Sequence, residues 1–208
     1  MTLQLWIAFV LASGIVLLIP GPTVLMVIGY ALSDGRRSAF SVLAGVALGD
    51  FVAMSLSVVG LGALLAASAT TFMVLKWVGA AYLVYLGISM WRQPPQPTTE
   101  LADSHRSSDL AKLGHAFAVT VLNPKSIAFF VAFVPQFLNP TIPMSAQVPV
   151  LVATFVSLAV ATNFAYGMAA GTLRERIREP RILRALNRIG GSVLIGAGIA
   201  TAALRRAG

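Results

Sequence analysis

The sequence predicts an all-α integral membrane protein of six transmembrane helices. The expected plan is an inverted repeat of three plus three, with the first and fourth helices broken at proline. Three observations carry that expectation. Of the 208 residues, 57% are hydrophobic and 11% charged, and the mean hydropathy of +0.83 is too apolar for a soluble domain of this size. Six segments approach the roughly 20 apolar residues that cross a hydrocarbon core of about 30 Å. Two Pro-containing breaks, Ile19-Pro20-Gly21-Pro22 and Leu122-Asn123-Pro124-Lys125, fall at matching places in the two halves.

The first segment runs from Leu3 to Leu32, and no Lys or Arg precedes it, so it is expected to remain as a helix and not be cleaved as a signal peptide. Its break at Pro20, Gly21 and Pro22 frees backbone groups that lipid does not tolerate unless they line a cavity. The second, Ser38 to Ala66, carries Asp50, the one acid placed deep in a helix, and a small-xxx-small step at Gly45 and Gly49 that reads as helix packing. The third, Thr70 to Trp91, has Lys76 beside Trp77 as a snorkelling anchor. Residues 92–113 then form a loop whose QPPQPTTE and DSHRSSD runs are those of disordered chain. It separates a first repeat, 1–91, from a second, 114–208, within a single transmembrane domain spanning 1–208.

In the second half, Gly114 to Leu138 is broken at Pro124 and continues with Lys125. The fifth segment, Gln147 to Thr172, carries Asn163, and the sixth, Ile189 to Leu204, is short and glycine-rich, with Ser192, Gly196 and Ala200 as its packing step. Three helices per half is an odd number, so a duplicated unit inserts its second copy upside down. Gly49-Asp50-Phe51 aligns with Thr162-Asn163-Phe164, and Pro22-Thr23-Val24-Leu25 with Pro124-Lys125-Ser126-Ile127, although residue identity alone is thin support.

The net charge of +8 reports topology and not a nucleic-acid partner, because the bases gather in alternate loops. Arg36 and Arg37 follow the first segment, Arg92, Arg106 and Lys112 the third, and Arg174, Arg176, Arg178, Arg181, Arg184 and Arg188 the fifth. These loops are placed in the cytoplasm, which puts both termini outside, with Arg205 and Arg206 as a minor exception. Trp6, Trp77 and Trp91 read as an interfacial belt, and His105 and His115 as solvated residues at the middle loop. The RERIREPRILRALNR run could touch anionic lipid, but topology accounts for its charge.

Depth singles out a site. At 1.5 Å per residue, Asp50 lies roughly 18 Å from Ser38, Lys125 roughly 16 Å from Gly114, Pro22 roughly 15 Å from Leu32 and Asn163 roughly 14 Å from Thr172. All four converge near the midplane, where a repeat-interface site is expected. A membrane acid costs roughly 2.5–3.5 kcal/mol to insert, so Asp50 reads as functional; Lys125 reads as a substrate ligand or a partner of Asp50. Asn123 and Asn163 are open between substrate and neighbouring-helix hydrogen bonds. The chain has no cysteine, so thiolate metal sites and disulfides are excluded, and no metal or cofactor is expected.

At these residues the chain resembles the lysine exporter (LysE/RhtB) group of amino-acid efflux proteins. The IPGPTVLMV break, GVALGD, LNPKSIAFFVAFVPQF and GGSVLIGAG carry the resemblance, which extends over essentially the whole length. It implies a bacterial inner-membrane exporter of amino acids or related small metabolites, driven by the proton gradient, and it does not choose the substrate. Alternating access between the repeats is the expected mechanism, with Asp50 as proton carrier. Partners are then the amino acid, protons and membrane lipid; self-association is left open. A metal-ion exporter and an intramembrane enzyme are the rival classes, and neither finds the residues it needs: no clustered His or acid ligands, and no Ser-His, HExxH or paired-acid constellation at one membrane depth.

Overall fold

Every regular element among the described residues is helical. The structure, a computed structural model, describes residues 1–34, 39–67, 69–92, 108–139, 141–177 and 180–203. The helices are α1 (Leu3–Leu18), α2 (Pro22–Ser33), α3 (Ala39–Ala67), α4 (Ala69–Arg92), α5 (Asp109–Val121), α6 (Pro124–Ala132), α7 (Met144–Ile177) and α8 (Pro180–Ala203), with a short 3-10 turn at Val134–Phe137 after α6.

Both proline breaks are real bends. α1 and α2 meet at 58°, and α5 and the α6 segment at 46°. Pro22 and Pro124 each occupy the first turn of the following helix, where the missing N–H costs nothing and the fixed φ suits the start. α3 over Ala39–Gly60 and α7 over Met144–Ala170 are long and apolar enough to cross a membrane, and each bent pair supplies one further span if counted as a unit. By length and composition the described residues therefore provide two to four spans, not six. α4 and α8 each have 24 residues, about 36 Å of helix. α8 spends its first turns on Arg181, Arg184 and Arg188, which removes them from any apolar window.

Three expected boundaries move. α5 begins at Asp109 and not at Gly114, because Ser108 caps it, its hydroxyl accepting from the Ala111 amide at 3.3 Å. Lys112, read as a loop base, is thus helical and buried. The fifth and sixth segments extend into the basic run: α7 continues to Ile177 and α8 starts at Pro180, since arginine and leucine are good helix formers outside the apolar core. The loop at 93–107 with His105 and Arg106, Arg36 and Arg37, Arg178, and Arg205 and Arg206 lie outside the described residues, as do the side chains of Lys76, Arg174 and Arg176.

Small residues set the closest helix contacts. A methyl group on Gly45 would stand 2.7 Å from Ala116 Cβ, and one on Gly49 2.7 Å from Thr120 Cβ, so α3 lies directly against α5. α4 and α8 approach in the same way at Gly87, Gly191 and Gly198, where an added Cβ on Gly198 would meet the Ala80 carbonyl at 2.7 Å. The expected step on α8 is met only in part: Ser192, though exposed, accepts from the Trp91 Nε1 of α4 at 3.2 Å, Gly196 has nothing within 4 Å, and the side chain of Ala200 lies outside the described residues. The buried stripe is instead Gly191, Leu194, Gly198 and Thr201, spaced three and four apart as one helix face requires. Phe9, Phe129, Phe130, Phe137 and Phe155 form an aromatic core that joins α1, α6 and α7. Trp6, Trp77 and Trp91 are exposed, as membrane-facing aromatics should be.

Candidate functional site

A helix that stops inside a protein leaves its last carbonyls unpaired. α1 stops at Leu18, and two side chains from distant helices meet its end. The Lys125 ammonium donates to the Val16 carbonyl at 3.1 Å and to the Ile19 carbonyl at 2.8 Å, and the Tyr166 hydroxyl of α7 donates to the Leu18 carbonyl at 2.7 Å. A cation is also the right partner for the negative end of the helix dipole.

The second break faces the first. Asn123 caps α6 by accepting from the Lys125 amide at 3.0 Å, while its Nδ2 donates across to Thr23 Oγ1 at 3.1 Å. Lys125 reaches past Gly21, whose missing side chain leaves the space: a Cβ there would sit 3.4 Å from the ammonium nitrogen. Gly21 gives α2 no side-chain cap, and Pro22 has no N–H, so the amides of Thr23 and Val24 begin the helix without an intrahelical acceptor. The positive end of α2, the Lys125 ammonium and the C-terminal carbonyls of α1 thus meet at one point. α6, by contrast, is capped by its own Asn123.

Asp50 lies inside α3 and is 3% exposed. Lys125 is the charge that acts on it, yet no ion pair within 4 Å joins them; among the described residues that distance is reached by Lys112 and Asp34, at 2.6 Å. Of the two expected roles of Lys125, a direct ion pair with Asp50 is not formed in this conformation. In this conformation its ammonium is committed to backbone carbonyls of α1.

The expected site residues divide accordingly. Gly21, Asn123 and Lys125 come together with Thr23, and Asp50 lies within electrostatic range. Pro22 and Pro124 are exposed and Pro20 is partly so; these rings make the breaks and do not line the interior. Asn163 is buried on α7, where its Nδ2 donates to the Ala159 carbonyl at 2.9 Å and its Oδ1 has no partner. It faces a separate cavity of about 200 Å³ beside Val27 and Leu43. Asp50 and Lys125 are not among the residues that line this cavity.

Two cavities flank the crossing of α3 and α7, and their walls correspond in part. In the first, Ala39, Phe40 and Leu43 of α3 face Phe164 and Met168 of α7; in the second, of about 530 Å³, Val152, Ala153 and Val156 of α7 face Phe51 and Ser55 of α3. The offset that aligns Asp50 with Asn163, 113 residues, relates these five pairs of positions, whereas Asn163 and Gly167 of the first wall and Val148, Pro149 and Ser157 of the second have no counterpart in the other. α3 and α7 therefore run antiparallel.

Sequence reasoning missed Tyr166, Thr23 and the polar links at the far end of α2. There Tyr30 and His115 share a 2.9 Å hydrogen bond and Asp34 pairs with Lys112, tying α2 to α5. His115 is thus engaged, not simply solvated. The spacing of Tyr30, Asp34, Lys112 and His115 places each pair on one helix face, but no sequence signal joins the two helices.

Similar known proteins align over nearly the whole chain. A membrane protein of Vibrio cholerae is 38% identical over 199 residues, covering 96% of this chain and 97% of its own length. The homoserine/homoserine lactone efflux proteins of Salmonella typhimurium and Salmonella typhi are each 34% identical over 208 residues, with 97% of this chain and 98% of theirs covered. No solved structure matches. Residues 14–204 match the LysE type translocator family, and with relatives aligned end to end the chain belongs to that family of membrane transporters, not enzymes.

Proposed function

We propose that the protein exports an amino acid or a closely related small metabolite from the bacterial cytoplasm in exchange for protons. It does so by alternating access between two inverted repeats of three spans each. The observation that carries the reading is the meeting of two helix breaks around one buried cation, with one buried acid in electrostatic range. A zwitterion needs a cation-side and an anion-side receptor. The α2 N-terminus beside Lys125 suits the carboxylate and Asp50 suits the ammonium. Protonation of Asp50 cancels the second attraction and releases the substrate. One proton moving down about 100 mV supplies roughly 2.3 kcal/mol, enough for roughly a fiftyfold gradient of a net-neutral amino acid.

Three further features support the inverted repeat. Both first helices of the halves are proline-broken, the breaks touch, and five pairs of positions on the two cavity walls at the α3–α7 crossing share one chain offset. On this reading α4 and α8, 24 residues each, are the third spans of their repeats, and the basic loops face the cytoplasm. The names of the Salmonella relatives make homoserine and its lactone the first substrates to try. Counterflow of labelled homoserine, homoserine lactone and a panel of amino acids in proteoliposomes tests the proposal. Protein-dependent uptake of at least one compound is expected; folded, correctly inserted protein that moves none of them would overturn it.

A further inference from the structure

The exposed apolar stripes of α4 and α8 both finish in arginine at one end of the molecule. The two helices run antiparallel, since Gly87 meets Gly191 and Gly198 meets Ala80, so the end of α4 lies beside the start of α8. On α4, exposed Val78, Tyr85 and Ile88 share a helix face with exposed Arg92, at the seven-, three- and four-residue steps of one stripe. On α8, exposed Arg181, Arg188 and Ile199 follow at seven and eleven residues, about two and three helical turns, and so share a face; Arg184 is exposed next to them. Topology asks for basic residues at this end, but not for their placement on the outward face of two packed helices. Neither α4 nor α8 contains an Asp or Glu.

Trp91 sits at the seam of this patch and is half exposed. Its Nε1 donates across to the Arg188 carbonyl at 2.8 Å, and the Arg188 guanidinium stands 5.7 Å from the centre of the indole ring, within cation–π range. The indole therefore joins the two helices and holds one guanidinium in place. An exposed indole at a helix end settles at headgroup level, the level of lipid phosphates. Guanidinium forks match phosphate oxygens two at a time, whereas the choline ammonium of a zwitterionic lipid is repelled by the patch. We infer that Arg92, Arg181 and Arg188 around Trp91 form a site for the headgroup of an anionic phospholipid, whose acyl chains lie along the exposed stripes of α4 and α8. The inference goes beyond the transport reading and rests only on its placement of α4 and α8 as spans.

Trp91 is its own reporter. In the full chain carrying Trp6→Phe and Trp77→Phe, quenching of Trp91 by chain-brominated phosphatidylglycerol is compared with quenching by brominated phosphatidylcholine in mixed bilayers. Phosphatidylglycerol should be preferred at Trp91 by at least about fivefold, the worth of one arginine near an anionic lipid. A protein that keeps only Trp6, on a helix without Lys or Arg, should show no such preference. Arg92→Gln with Arg188→Gln should bring Trp91 down to the level of Trp6, and Arg181→Gln alone should lower it should the double variant fail to fold. Arg36→Gln with Arg106→Gln, two loop arginines placed on the same side, should leave it unchanged. Equal preference at Trp91 and Trp6 would overturn the inference. So would an equal loss in the loop variant, which makes the effect one of general surface charge, or displacement by excess inorganic phosphate, which makes the patch an ion site. No quenching at Trp91 by either lipid would take this end of α4 out of the bilayer and overturn its placement as a span as well. Amino-acid export by a protein without lipid preference would leave the transport reading standing, and lipid preference in a protein that exports nothing would do the reverse.

Discussion

Replacing Lys125 by methionine tests what holds the first break together. The side chain keeps its length and apolar stem but loses the ammonium that bonds the Val16 and Ile19 carbonyls at 3.1 and 2.8 Å. Each charge-assisted bond contributes about 1.5–3 kcal/mol, so the two together contribute about 3–6 kcal/mol. Removing a buried charge also recovers its desolvation cost, which favours the lower end, about 3 kcal/mol. For a chain of this size that corresponds to a melting temperature lowered by roughly 6–12 °C. The assay is thermal unfolding of purified protein in detergent, with Lys125→Met, Asp50→Asn and the double variant measured together. Losing Lys125 strips Asp50 of its compensating charge, so the double variant should be more stable than Lys125→Met alone. Melting of Lys125→Met within about 2 °C of the parent would refute the reasoning, because the carbonyls of α1 would then have no need of the ammonium.

Three other outcomes follow from the packing and the charges. Gly49→Val forces a side chain into the space held by Thr120 and should destabilise by about 1–3 kcal/mol, whereas Gly196→Val, with nothing within 4 Å, should stay within about 0.5 kcal/mol; both are read by the same melts. Neutralising either member of the Asp34–Lys112 pair should lower the melting temperature, and exchanging the two residues should restore it, since attraction and not identity joins α2 to α5. For topology, an impermeant thiol reagent should label Thr141→Cys in intact cells and Arg106→Cys only after permeabilisation; the opposite pattern would invert the orientation.

The broken helices were legible because proline leaves an unambiguous mark: it cannot donate and it starts helices well. The burial of Asp50 was legible because it falls in the middle of an apolar run long enough to cross a membrane. What Lys125 binds was not, since its partners are main-chain carbonyls more than a hundred residues away and carry no residue type. The packing face of α8 was only partly legible for a related cause. Ser192, Gly196 and Ala200 satisfy the small-residue spacing as well as Gly191 and Gly198 do, and only the position of α4 decides between them. The helical basic run around Pro180 was hidden by its charge, which marks where the apolar core ends and says nothing about where the helix does. A repeat is faint in residue identity, since positions related by one chain offset carry unlike residues, Phe40 against Ala153 and Ser55 against Met168.

The central claim is that one buried acid couples export to the proton gradient, and Asp50→Asn tests it most directly. The amide preserves shape and hydrogen bonding but cannot carry a proton. In proteoliposomes loaded with a transported substrate, the account predicts that Asp50→Asn builds no substrate gradient when a pH gradient and a potential are imposed, although the protein remains folded. Substrate exchange without a gradient should also fall, because the same carboxylate holds the ammonium. If Asp50→Asn still drives substrate uphill, and that gradient collapses on adding a protonophore, protons travel elsewhere and the account is wrong.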